Sequence, residues 1–450
     1  MRPLGQPLRG SLKVPGDKSI GHRAVMLAAL ADGTSRLQGL SSGADNRATR
    51  EAFAKMGVAM ESDGRALLVH GPGLDGLRTP DGEIDCGNSG TTLRVLLGVL
   101  SAQPFSSRVT GDESLRRRPL GRVLRPLRGR GARCEGTLDT RLKDETAPVE
   151  VLALDGHRRL WELDYTLPIA SAQVKSALLL SGLYADGPTA LREPTVSRDH
   201  TERMLVALGA PLQTMGPAVL LDPSGWDRRL PPLDLTLPGD PSSAAFLVGA
   251  ALLHPRSRMA VRSVNSNPTR TGFVEVLRDL GADLAWDPKG ETHGEPLGDL
   301  HVGSHGGGSF RRGGVQRGGV QVGGELAVRC LDEVPLLVAL AATIPGRSEF
   351  TDLSELRVKE SDRIEALAAM LRAFGVSCET RPDGLALEGG GLRAGAVVDS
   401  RGDHRIAMAA AVLALGAPGE TRVLDTGCVD TSFPGFIQAL RALGGDLEEA

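Results

Sequence analysis

The feature that most constrains the fold is an internal repeat in which a helix apolar on most of its faces recurs six times. Each copy opens on a polar cluster rich in Gly, Ser or Asp, which is typical of a helix N-terminus, and continues as an apolar helical run. The copies are residues 14–33, 87–102, 170–187, 239–257, 332–348 and 402–419. A helix of this kind must be buried, so the sequence predicts six buried helices.

A second set of six helical segments alternates with the first. These segments are amphipathic, and several end at a glycine followed by a short apolar run, as a C-cap leading into a strand would. They are residues 45–60, 118–134, 198–212, 267–284, 359–378 and 432–447. Short β-like segments, such as 65–71, 107–111 and 385–390, lie between the helices. The pattern predicts an α/β fold of βαβαββ units, arranged as two sets of three.

The length of 450 residues is sufficient for two domains, each with its own core. A break is expected at 227–240, where prolines cluster and a new repeat opens. Aromatic residues make up only 3% of the chain and glycine occurs 58 times. The cores must therefore consist of Leu, Val and Ala with close backbone approach.

The overall charge excludes broad classes of partner. The formal net charge is -3, which does not favour nucleic acid or a membrane surface as a partner. Any recognition of anions must therefore be local. No apolar run approaches the roughly 18 residues that a bilayer span needs, and the N-terminus lacks the apolar core of a signal peptide. A soluble, unexported protein is expected.

The five cysteines, which are odd in number, are scattered and form no CxxC pair. This pattern argues against a disulfide framework and against a structural zinc site, and it fits a reducing cytoplasm. The segment 301–324 is so rich in glycine that we predict a mobile surface loop or insertion. His293, His301 and His305 in or near it are possible metal ligands, but their irregular spacing favours an ordinary loop and no metal.

Basic side chains collect at the predicted helix starts, where the helix dipole disfavours them unless an anion is bound. They are Lys18, Arg23, Arg94, Arg118, Arg363 and Arg405. Arginine binds phosphate and carboxylate through a forked contact, so these residues predict a site for small, multiply anionic molecules. Simpler interpretations stay open, because 359–363 also fits a solvated helix face, and His22 and His404 are expected to be structural.

Several segments closely resemble one known family. They appear in order as VPGDKSIGHRA, DCGNSGTTLR, TGDESLRRRPLGRVL, LPIASAQVKSALLLSGL, GDPSSAAFLV, ELRVKESDRI and DHRIAMAAAVL. They are similar to the signature segments of the 5-enolpyruvylshikimate-3-phosphate synthase family, and the resemblance extends over the whole chain.

The resemblance implies a two-domain inside-out α/β barrel, the enolpyruvyl transferase fold, with three βαβαββ repeats in each domain. The implied domains are residues 19–238 and residues 1–18 plus 239–450, with the active site in the cleft between them. A cytoplasmic protein is expected from the cysteine pattern, and a monomer is expected.

The implied reaction moves the enolpyruvyl group of phosphoenolpyruvate to the 5-hydroxyl of shikimate 3-phosphate and releases phosphate, by addition and elimination. It requires a base for the hydroxyl, an acid for the methylene carbon, and fixed positive charge around the anionic groups. It requires no cofactor and no metal.

The resemblance also assigns residues. Those implied to bind shikimate 3-phosphate are Lys18, Ser19, Arg23, Ser171, Ala172, Gln173, Arg198, Asp332 and Lys359. Those implied around phosphoenolpyruvate are Lys18, Gly90, Arg118, Gln173, Arg363 and Arg405, with Asn88, Thr91, Arg94 and His404 nearby. Asp332 matches the proton acceptor for the hydroxyl, and Glu360 is implied in protonating and deprotonating the methylene carbon. Lys18 is implied in contacting both substrates and in proton transfer.

Some positions depart from the family pattern. Gly21 replaces a frequent serine, Thr431 stands where many members have a lysine, and the glycine-rich segment before Asp332 is foreign to the pattern. Other segments resemble the glyphosate-tolerant subclass, although the sterics near Gly90 decide how the inhibitor fits. Two alternatives remain. One is the transferase that acts on a UDP-amino sugar, whose loop cysteine is absent from 110–119, and the other is a non-catalytic anion sensor.

Overall fold

The computed structural model describes residues 1–154, 159–303, 319–445 and 448. The chain divides into two compact units. The N-terminal unit comprises Gly16–Leu237 and Glu291–Glu295, and the C-terminal unit comprises Met1–Pro15, Pro238–Gly290 and Pro296–Ala450. The domain boundaries implied by the resemblance, after residues 18 and 238, stay a prediction.

The six buried helices predicted from the repeat are confirmed. They are α1 (Lys18–Leu30), α3 (Gly90–Leu100), α5 (Ala172–Gly182), α7 (Pro241–Leu252), α10 (Val334–Ala342) and α12 (His404–Gly416). Every residue of α7 is buried, because Ala, Leu, Val and Phe occupy all of its faces. Helices α3 and α5 pack on each other in the N-terminal unit, and α7, α10 and α12 do so in the C-terminal unit.

The six amphipathic helices are confirmed as well. They are α2 (Ala44–Lys55), α4 (Gly121–Gly129), α6 (His200–Ala207), α8 (Gly272–Asp279), α11 (Arg363–Ala373) and α13 (Phe436–Ala442). A short helix, α9 (Gly324–Arg329), and three 3₁₀ turns, Leu115–Arg117, Ser354–Val358 and Thr426–Thr431, complete the helices of the described residues.

The strands of the N-terminal unit form three four-stranded sheets within the described residues. The strands are β2 (Asp32–Gln38), β3 (Ala59–Ser62), β4 (Ala66–Pro72), β5 (Ile84–Asp85), β6 (Ser107–Thr110), β7 (Cys134–Asp139), β8 (Asp144–Val151), β9 (Leu163–Thr166), β10 (Thr189–Arg192), β11 (Leu212–Met215), β12 (Ala218–Leu221) and β13 (Asp234–Thr236). The sheet orders are β13-β2-β4-β3, β5-β6-β8-β7 and β11-β12-β10-β9.

The remaining strands form two four-stranded sheets and one two-stranded sheet within the described residues. They are β1 (Arg9–Leu12), β14 (Arg258–Asn265), β15 (Leu284–Thr292), β16 (Glu295–Val302), β17 (Gln321–Val322), β18 (Gly346–Phe350), β19 (Ser377–Arg381), β20 (Gly384–Gly389), β21 (Val397–Asp399) and β22 (Arg422–Leu424). The sheet orders are β1-β14-β16-β15, β17-β18-β20-β19 and β21-β22.

One pairing scheme recurs among these sheets. In β5-β6-β8-β7, the first two strands are parallel, and the hairpin β7–β8 joins antiparallel to them through β8. The sheets that contain β10 and β20 repeat the scheme. β13 supplies the first strand beside β2, and β1 supplies the one beside β14. The parallel pairs β5–β6 and β9–β10 each enclose one helix in the chain, α3 and α5, as a βαβ unit requires.

The cores consist mainly of Leu, Val and Ala, as the composition predicts, and each unit has its own cluster of buried side chains. All five cysteines are free in the structure. Within the described residues, no helix combines the length and the apolar character that crossing a membrane requires.

The prediction that all of 301–324 is a loop is wrong at both ends. Its first residues complete β16, and Gln321–Val322 form β17, which pairs in parallel with β18. Val322 is 3% exposed, so the burial of apolar side chains and the pairing of the strand outweigh the local glycine content. Residues 304–318, which include His305, lie outside the described residues.

Candidate active site

Side-chain caps close the starts of α1, α3 and α5. The caps are Asp17, Ser89 and Ser171, and each accepts a hydrogen bond from a backbone N–H in the first turn of its helix. A cap satisfies only part of the first-turn N–H groups, which carry the positive end of the helix dipole. The polar clusters at these starts are therefore confirmed as caps, and the first turns are suited to anions.

Lys18 lies in the first turn of α1 and forms an ion pair with Asp45. Its Nζ is 2.9 Å from Asp45 Oδ2, and Asp45 is buried near the start of α2. The side chain of Asn46 donates to the backbone carbonyl of Lys18 at 3.1 Å. Asp45 was not among the predicted site residues. An acidic residue in a first turn is common, so the sequence carries no signal that it reaches Lys18.

Ser19, Arg23 and Arg198 meet at the start of α1. Arg23 is buried and donates at 2.8 Å to the carbonyl of Ser19 and to the hydroxyls of Thr201 and Ser176. Burial lowers the pKa of Arg23 to about 10, which leaves it charged at neutral pH. Arg198 Nη1 donates to Ser19 Oγ at 3.4 Å. Three residues predicted to bind shikimate 3-phosphate are therefore neighbours.

The first turns of α3 and α5 are joined by side chains. Gln173 Nε2 donates to Thr91 Oγ1 at 2.9 Å, and Arg94 Nη1 donates to Gln173 Oε1 at 3.0 Å. Arg94 also donates to the carbonyl of Pro119 at 3.1 Å. These contacts fix the Gln173 amide beside two helix starts, where it can face an anionic ligand.

The backbone of Gly90 lies against two guanidinium groups. A Cβ at this position would be 2.8 Å from Arg94 Nη1 and 3.1 Å from Arg118 Nη1. A side chain there would displace one or both groups, so glycine permits this close approach. Arg118 in turn donates to the side-chain oxygen of Asn88. Gly90, Arg118 and Gln173, predicted around phosphoenolpyruvate, thus share one region of the N-terminal unit.

A buried ionic cluster lies behind the start of α5. Lys175 Nζ is 2.6 Å from Glu193 Oε2 and 2.7 Å from Glu202 Oε1. Glu193 also accepts hydrogen bonds from Ser171 and Ser197. Neither glutamate was among the predicted site residues. A lysine inside an otherwise apolar helix is a signal for such a cluster, because a buried charge needs a partner.

In the C-terminal unit, Arg363 is the centre of a cluster of carboxylates. Its Nε donates to Asp403 Oδ2 at 2.8 Å, its Nη2 donates to Glu360 Oε2 at 2.6 Å, and its Nη1 lies 3.5 Å from Asp332 Oδ1. Arg363 is 1% exposed and occupies the first turn of α11. The two predicted catalytic carboxylates, Asp332 and Glu360, therefore share one guanidinium.

Burial and charge oppose each other in this cluster. Burial disfavours the charge of Arg363, but the carboxylates of Asp403 and Glu360 outweigh burial and raise its pKa. Burial likewise disfavours the charged form of Asp403, but Arg363 outweighs it and lowers the pKa of Asp403. Burial lowers the pKa of the neighbouring Lys359, although Asp332 opposes the shift.

Arg405 connects the start of α12 to the same cluster. Its Nη1 donates to the carbonyl of Asp332 at 3.0 Å, and its Nη2 lies 3.5 Å from Asp332 Oδ2. Asp403 caps α12 by accepting from the N–H of Arg405 at 2.9 Å. Asp403 was not among the predicted site residues, and its bond to Arg363 was not predicted.

A second buried network links the starts of α7 and α10. Arg270 Nη2 donates to Ser242 Oγ at 2.9 Å and lies 3.4 Å from Asp240 Oδ1. Ser242 donates to Glu333. Arg270 is 1% exposed, so these contacts balance a charge that burial would otherwise penalise.

His22 and His200 are structural, in the sense that both are fully buried and hydrogen-bonded. His22 Nδ1 is 2.6 Å from Thr49 Oγ1, which is 2.7 Å from Thr92 Oγ1. His200 Nδ1 is 2.7 Å from Glu295 Oε1, at the tip of the β15–β16 hairpin. Burial lowers the pKa of His22 well below its usual value, with contributions from nearby cations.

One group of side chains has the composition of a metal site. Asp287, Asp299 and His301 place one potential ligand atom each within 4.8 Å of one another. Arg262 donates to Asp299 at 3.0 Å, and Lys289 pairs with Asp287 at 2.5 Å. These cations already neutralise the carboxylates, so the group resembles a surface ion-pair network. The absence of a bound metal stays a prediction.

The predicted site residues fall into two groups, one in each unit. The N-terminal unit contains Lys18, Ser19, Arg23, Gly90, Arg118, Ser171, Ala172, Gln173 and Arg198. The C-terminal unit contains Asp332, Lys359, Glu360, Arg363 and Arg405. Within each group, most members share hydrogen bonds or ion pairs with other members or with buried neighbours.

Comparison with known proteins places these observations in a family. The model of the family described as EPSP synthase (3-phosphoshikimate 1-carboxyvinyltransferase) matches residues 4–440. The 3-phosphoshikimate 1-carboxyvinyltransferase of Acidithiobacillus ferrooxidans is 46% identical over 447 residues, which are 99% of this chain and 98% of the relative. That of Halorhodospira halophila is 47% identical over 445 residues, covering 99% and 96%.

Solved structures agree. The structure of EPSP synthase from Acinetobacter baumannii matches with a TM-score of 0.82 and 38% identity, and the match covers 99% of this chain and 97% of that one. The enolpyruvyl transferase NikO from Streptomyces tendae matches with a TM-score of 0.71 at 18% identity, covering 98% and 96%, and this likeness supports the fold alone. The predicted enolpyruvyl transferase fold is confirmed.

Proposed function

The chain belongs to the EPSP synthase family, and from that premise we propose roles for the residues of its two clusters. The protein transfers the enolpyruvyl group of phosphoenolpyruvate to the 5-hydroxyl of shikimate 3-phosphate and releases phosphate. The reaction is a step of chorismate and aromatic amino-acid biosynthesis. The residue roles below were implied by the resemblance, and the geometry within each unit supports them.

Shikimate 3-phosphate is bound by Ser19, Arg23 and Arg198 and by the first turn of α5. The contact between Arg198 and Ser19 supports this assignment, because it places a guanidinium beside a hydroxyl. At the start of α5, Ser171 supplies a hydroxyl, and Ala172 and Gln173 occupy positions whose N–H groups an α-helix does not satisfy. Such a start binds phosphate well. Lys18, Asp332 and Lys359 complete the set.

Phosphoenolpyruvate is bound by four cations, together with the backbone of Gly90 and the side-chain amide of Gln173. The cations are Lys18, Arg118, Arg363 and Arg405. The approach of Arg94 and Arg118 to the backbone of Gly90 supports the assignment, because it concentrates positive charge where the chain has no side chain. Forked contacts from arginine suit both the phosphate and the carboxylate of this substrate.

Proton transfer is assigned to Asp332, Glu360 and Lys18. Asp332 accepts the proton of the 5-hydroxyl as that oxygen bonds to C2 of phosphoenolpyruvate, while C3 gains a proton. Cleavage of the C2–O bond to phosphate and loss of a proton from C3 then give the product. Glu360, with Lys18, serves C3 in both directions. The observation that carries this assignment is the single buried guanidinium of Arg363, which contacts both Asp332 and Glu360.

The proposal has further parts that rest on the family. The domains are residues 19–238 and 1–18 plus 239–450, and the two clusters act in one site in the cleft between them. The protein acts as a cytoplasmic monomer without metal or cofactor. Tolerance to glyphosate is a prediction, and its inhibition constant measured against phosphoenolpyruvate tests it, since a constant typical of sensitive enzymes would contradict tolerance.

The test is a measurement of phosphate release from phosphoenolpyruvate, with and without shikimate 3-phosphate, beside a UDP-N-acetylglucosamine control. We expect release that depends on shikimate 3-phosphate. In the variants Asp332→Asn and Glu360→Gln we expect kcat to fall roughly 10²- to 10⁴-fold, as for loss of a general acid or base. Glu365→Gln, in the first turn of α11, is the matched control and should leave kcat unchanged.

Each outcome bears on a different part of the proposal. Wild-type kcat in Asp332→Asn or Glu360→Gln would contradict the role of that carboxylate alone. Release only with the UDP-sugar would overturn the choice of substrate, and no release with either acceptor would favour a binding protein.

A further inference from the structure

Glu193 is a buried carboxylate to which no part of the reaction has yet been assigned. It directly follows β10, and its side chain is 1% exposed. Both of its oxygens accept hydrogen bonds. Oε1 accepts from the N–H of Ser171 at 3.1 Å and from Ser197 Oγ at 2.6 Å. Oε2 accepts from Lys175 Nζ at 2.6 Å and from the N–H of Ser197 at 3.2 Å.

These four donors come from only two segments of the chain. Ser171 and Lys175 belong to the start and first turns of α5, and Ser197 immediately precedes Arg198. Both segments are those proposed above to hold shikimate 3-phosphate. One carboxylate therefore sets the distance between a helix start and a guanidinium that serve the same ligand.

We propose that Glu193 is a positioning residue for shikimate 3-phosphate, which holds the Ser171 turn and Arg198 at the spacing that the phosphate requires. This inference rests on the substrate placement proposed above. It goes beyond that placement, because Glu193 would contact no substrate atom. Its effect would act through Ser171 and Arg198.

The charges around Glu193 fit this role. A carboxylate behind a phosphate site would repel the ligand unless a cation compensated it. Lys175 supplies that cation, and it also contacts Glu202 at 2.7 Å. Burial disfavours the charge of Lys175, but Glu202 and Glu193 outweigh burial and raise its pKa. The Lys175 ammonium therefore stays charged. Lys175 occupies a buried position of α5, a helix whose other buried residues are mostly apolar.

The experiment must distinguish the positioning role of Glu193 from a purely structural role. A buried ion pair often adds little to stability in comparison with apolar residues of the same volume, but loss of one partner is costly. A variant at Glu193 is therefore expected to be less stable in either case. The two roles differ in their effect on the preference for shikimate 3-phosphate over shikimate. Only a positioning role would weaken the contacts to the phosphate in particular.

The substitution Glu193→Gln removes the charge and one acceptor oxygen. An amide has a single oxygen, and its NH₂ group cannot accept from Lys175 or from Ser197. We expect kcat/KM for shikimate 3-phosphate to fall roughly ten- to a hundredfold, mostly through KM, as for the loss of hydrogen bonds to a charged group. Glu193→Asp keeps the charge and both oxygens, and it should recover part of this loss.

The experiment compares shikimate 3-phosphate with shikimate, which lacks the phosphate, as acceptors in the phosphate-release assay. Wild type, Glu193→Gln, Glu193→Asp and the control Leu191→Val are measured, together with the melting temperature and calorimetric binding of shikimate 3-phosphate. Leu191 is a buried apolar residue of β10, so its truncation should lower stability without removing a hydrogen bond to Glu193.

A positioning role predicts that Glu193→Gln reduces the preference for shikimate 3-phosphate over shikimate about tenfold, weakens calorimetric binding to match, and leaves KM for phosphoenolpyruvate unchanged. Leu191→Val should lower the melting temperature with the preference intact. If Glu193→Gln and Leu191→Val change the preference for shikimate 3-phosphate over shikimate by the same factor, the inference is wrong. It is also wrong if neither of these variants changes the preference. If wild type itself neither binds nor turns over shikimate 3-phosphate, the substrate placement fails first, and the inference falls with it.

Discussion

The arginines of the N-terminal cluster and those of the C-terminal cluster donate to different kinds of oxygen. In the N-terminal unit, Arg23 is held by hydroxyl and carbonyl oxygens, and Arg94 and Arg118 donate to the amide oxygens of Gln173 and Asn88. In the C-terminal unit, Arg363 contacts three carboxylates. A neutral oxygen positions a guanidinium without cancelling its charge, whereas a carboxylate cancels it.

This difference in acceptors indicates that the two clusters have different functions. Arginines held by neutral oxygens leave positive charge to meet the phosphates and carboxylates of the substrates. Arginines held by carboxylates fix the orientation of groups that exchange protons, and the local charge stays balanced. The N-terminal cluster is therefore suited to binding, and the C-terminal cluster is suited to acid–base chemistry.

The largest effect is expected from Arg363→Met. This substitution leaves Asp332, Glu360 and Asp403 without their shared cation in a buried setting. Loss of one partner of a buried pair costs about 3–5 kcal/mol, so we expect a fall of that size in the free energy of unfolding, measured in urea. We also expect kcat to fall by at least roughly 10³-fold, since the predicted proton-transfer groups lose their alignment.

Arg372→Met is the matched control for this prediction. Arg372 lies on the same helix, α11, and is exposed. Its substitution should change stability by less than about 0.5 kcal/mol. A normal kcat in Arg363→Met, once the variant is shown to be folded, would contradict the view that the C-terminal cluster carries the chemistry.

A smaller effect, of a different kind, is expected from Arg118→Met in the N-terminal cluster. Here the substitution removes a guanidinium proposed to bind the substrate, so KM for phosphoenolpyruvate should rise roughly tenfold to a hundredfold, with a smaller change in kcat. Steady-state kinetics with varied phosphoenolpyruvate measures the split.

The neighbouring Arg116 is exposed and provides the control Arg116→Met, which should leave KM unchanged. If Arg118→Met lowered kcat alone and left KM intact, the contrast between a binding cluster and a chemical cluster would not hold.

The smallest effect sharpens the comparison through pH. His22 is buried close to Lys18 and Arg23, and burial and these cations lower its pKa well below 6.5. As the pH falls through about 6.5, unfolded His22 takes up a proton and folded His22 does not. The free energy of unfolding therefore decreases, by at most about 1.4 kcal/mol at one pH unit below the unfolded pKa. This decrease ends once the pH reaches the lowered folded pKa.

His22→Asn removes this term. The difference in free energy of unfolding between wild type and His22→Asn should shift in favour of the variant between pH 7.5 and pH 5.5, by at most about 1.4 kcal/mol. Urea titrations at the two pH values measure this shift. If the difference were the same at both pH values, folded His22 would take up a proton as readily as unfolded His22, and the prediction would be wrong.

Much of the fold could be predicted because its signals are local. The twelve helices of the repeat follow from periodicity and from polar starts within a single segment, and the caps Asp17, Ser89 and Ser171 act on residues only a few positions away. The glycine-rich ends of 301–324 were predicted wrongly, because pairing of β17 with β18 and burial of Val322 depend on residues elsewhere in the chain.

The sequence by itself determined the repeat, the helix starts and the family, and through the family the reaction. Only the tertiary structure decided which groups hold the predicted residues. Asp45 pairs with Lys18 across 27 positions, Glu193 with Lys175 across 18, and Asp403 with Arg363 across 40. The reason is physical, since a cap or a helical period is satisfied within a few residues, whereas a buried charge takes whatever partner the packing of distant segments brings to it.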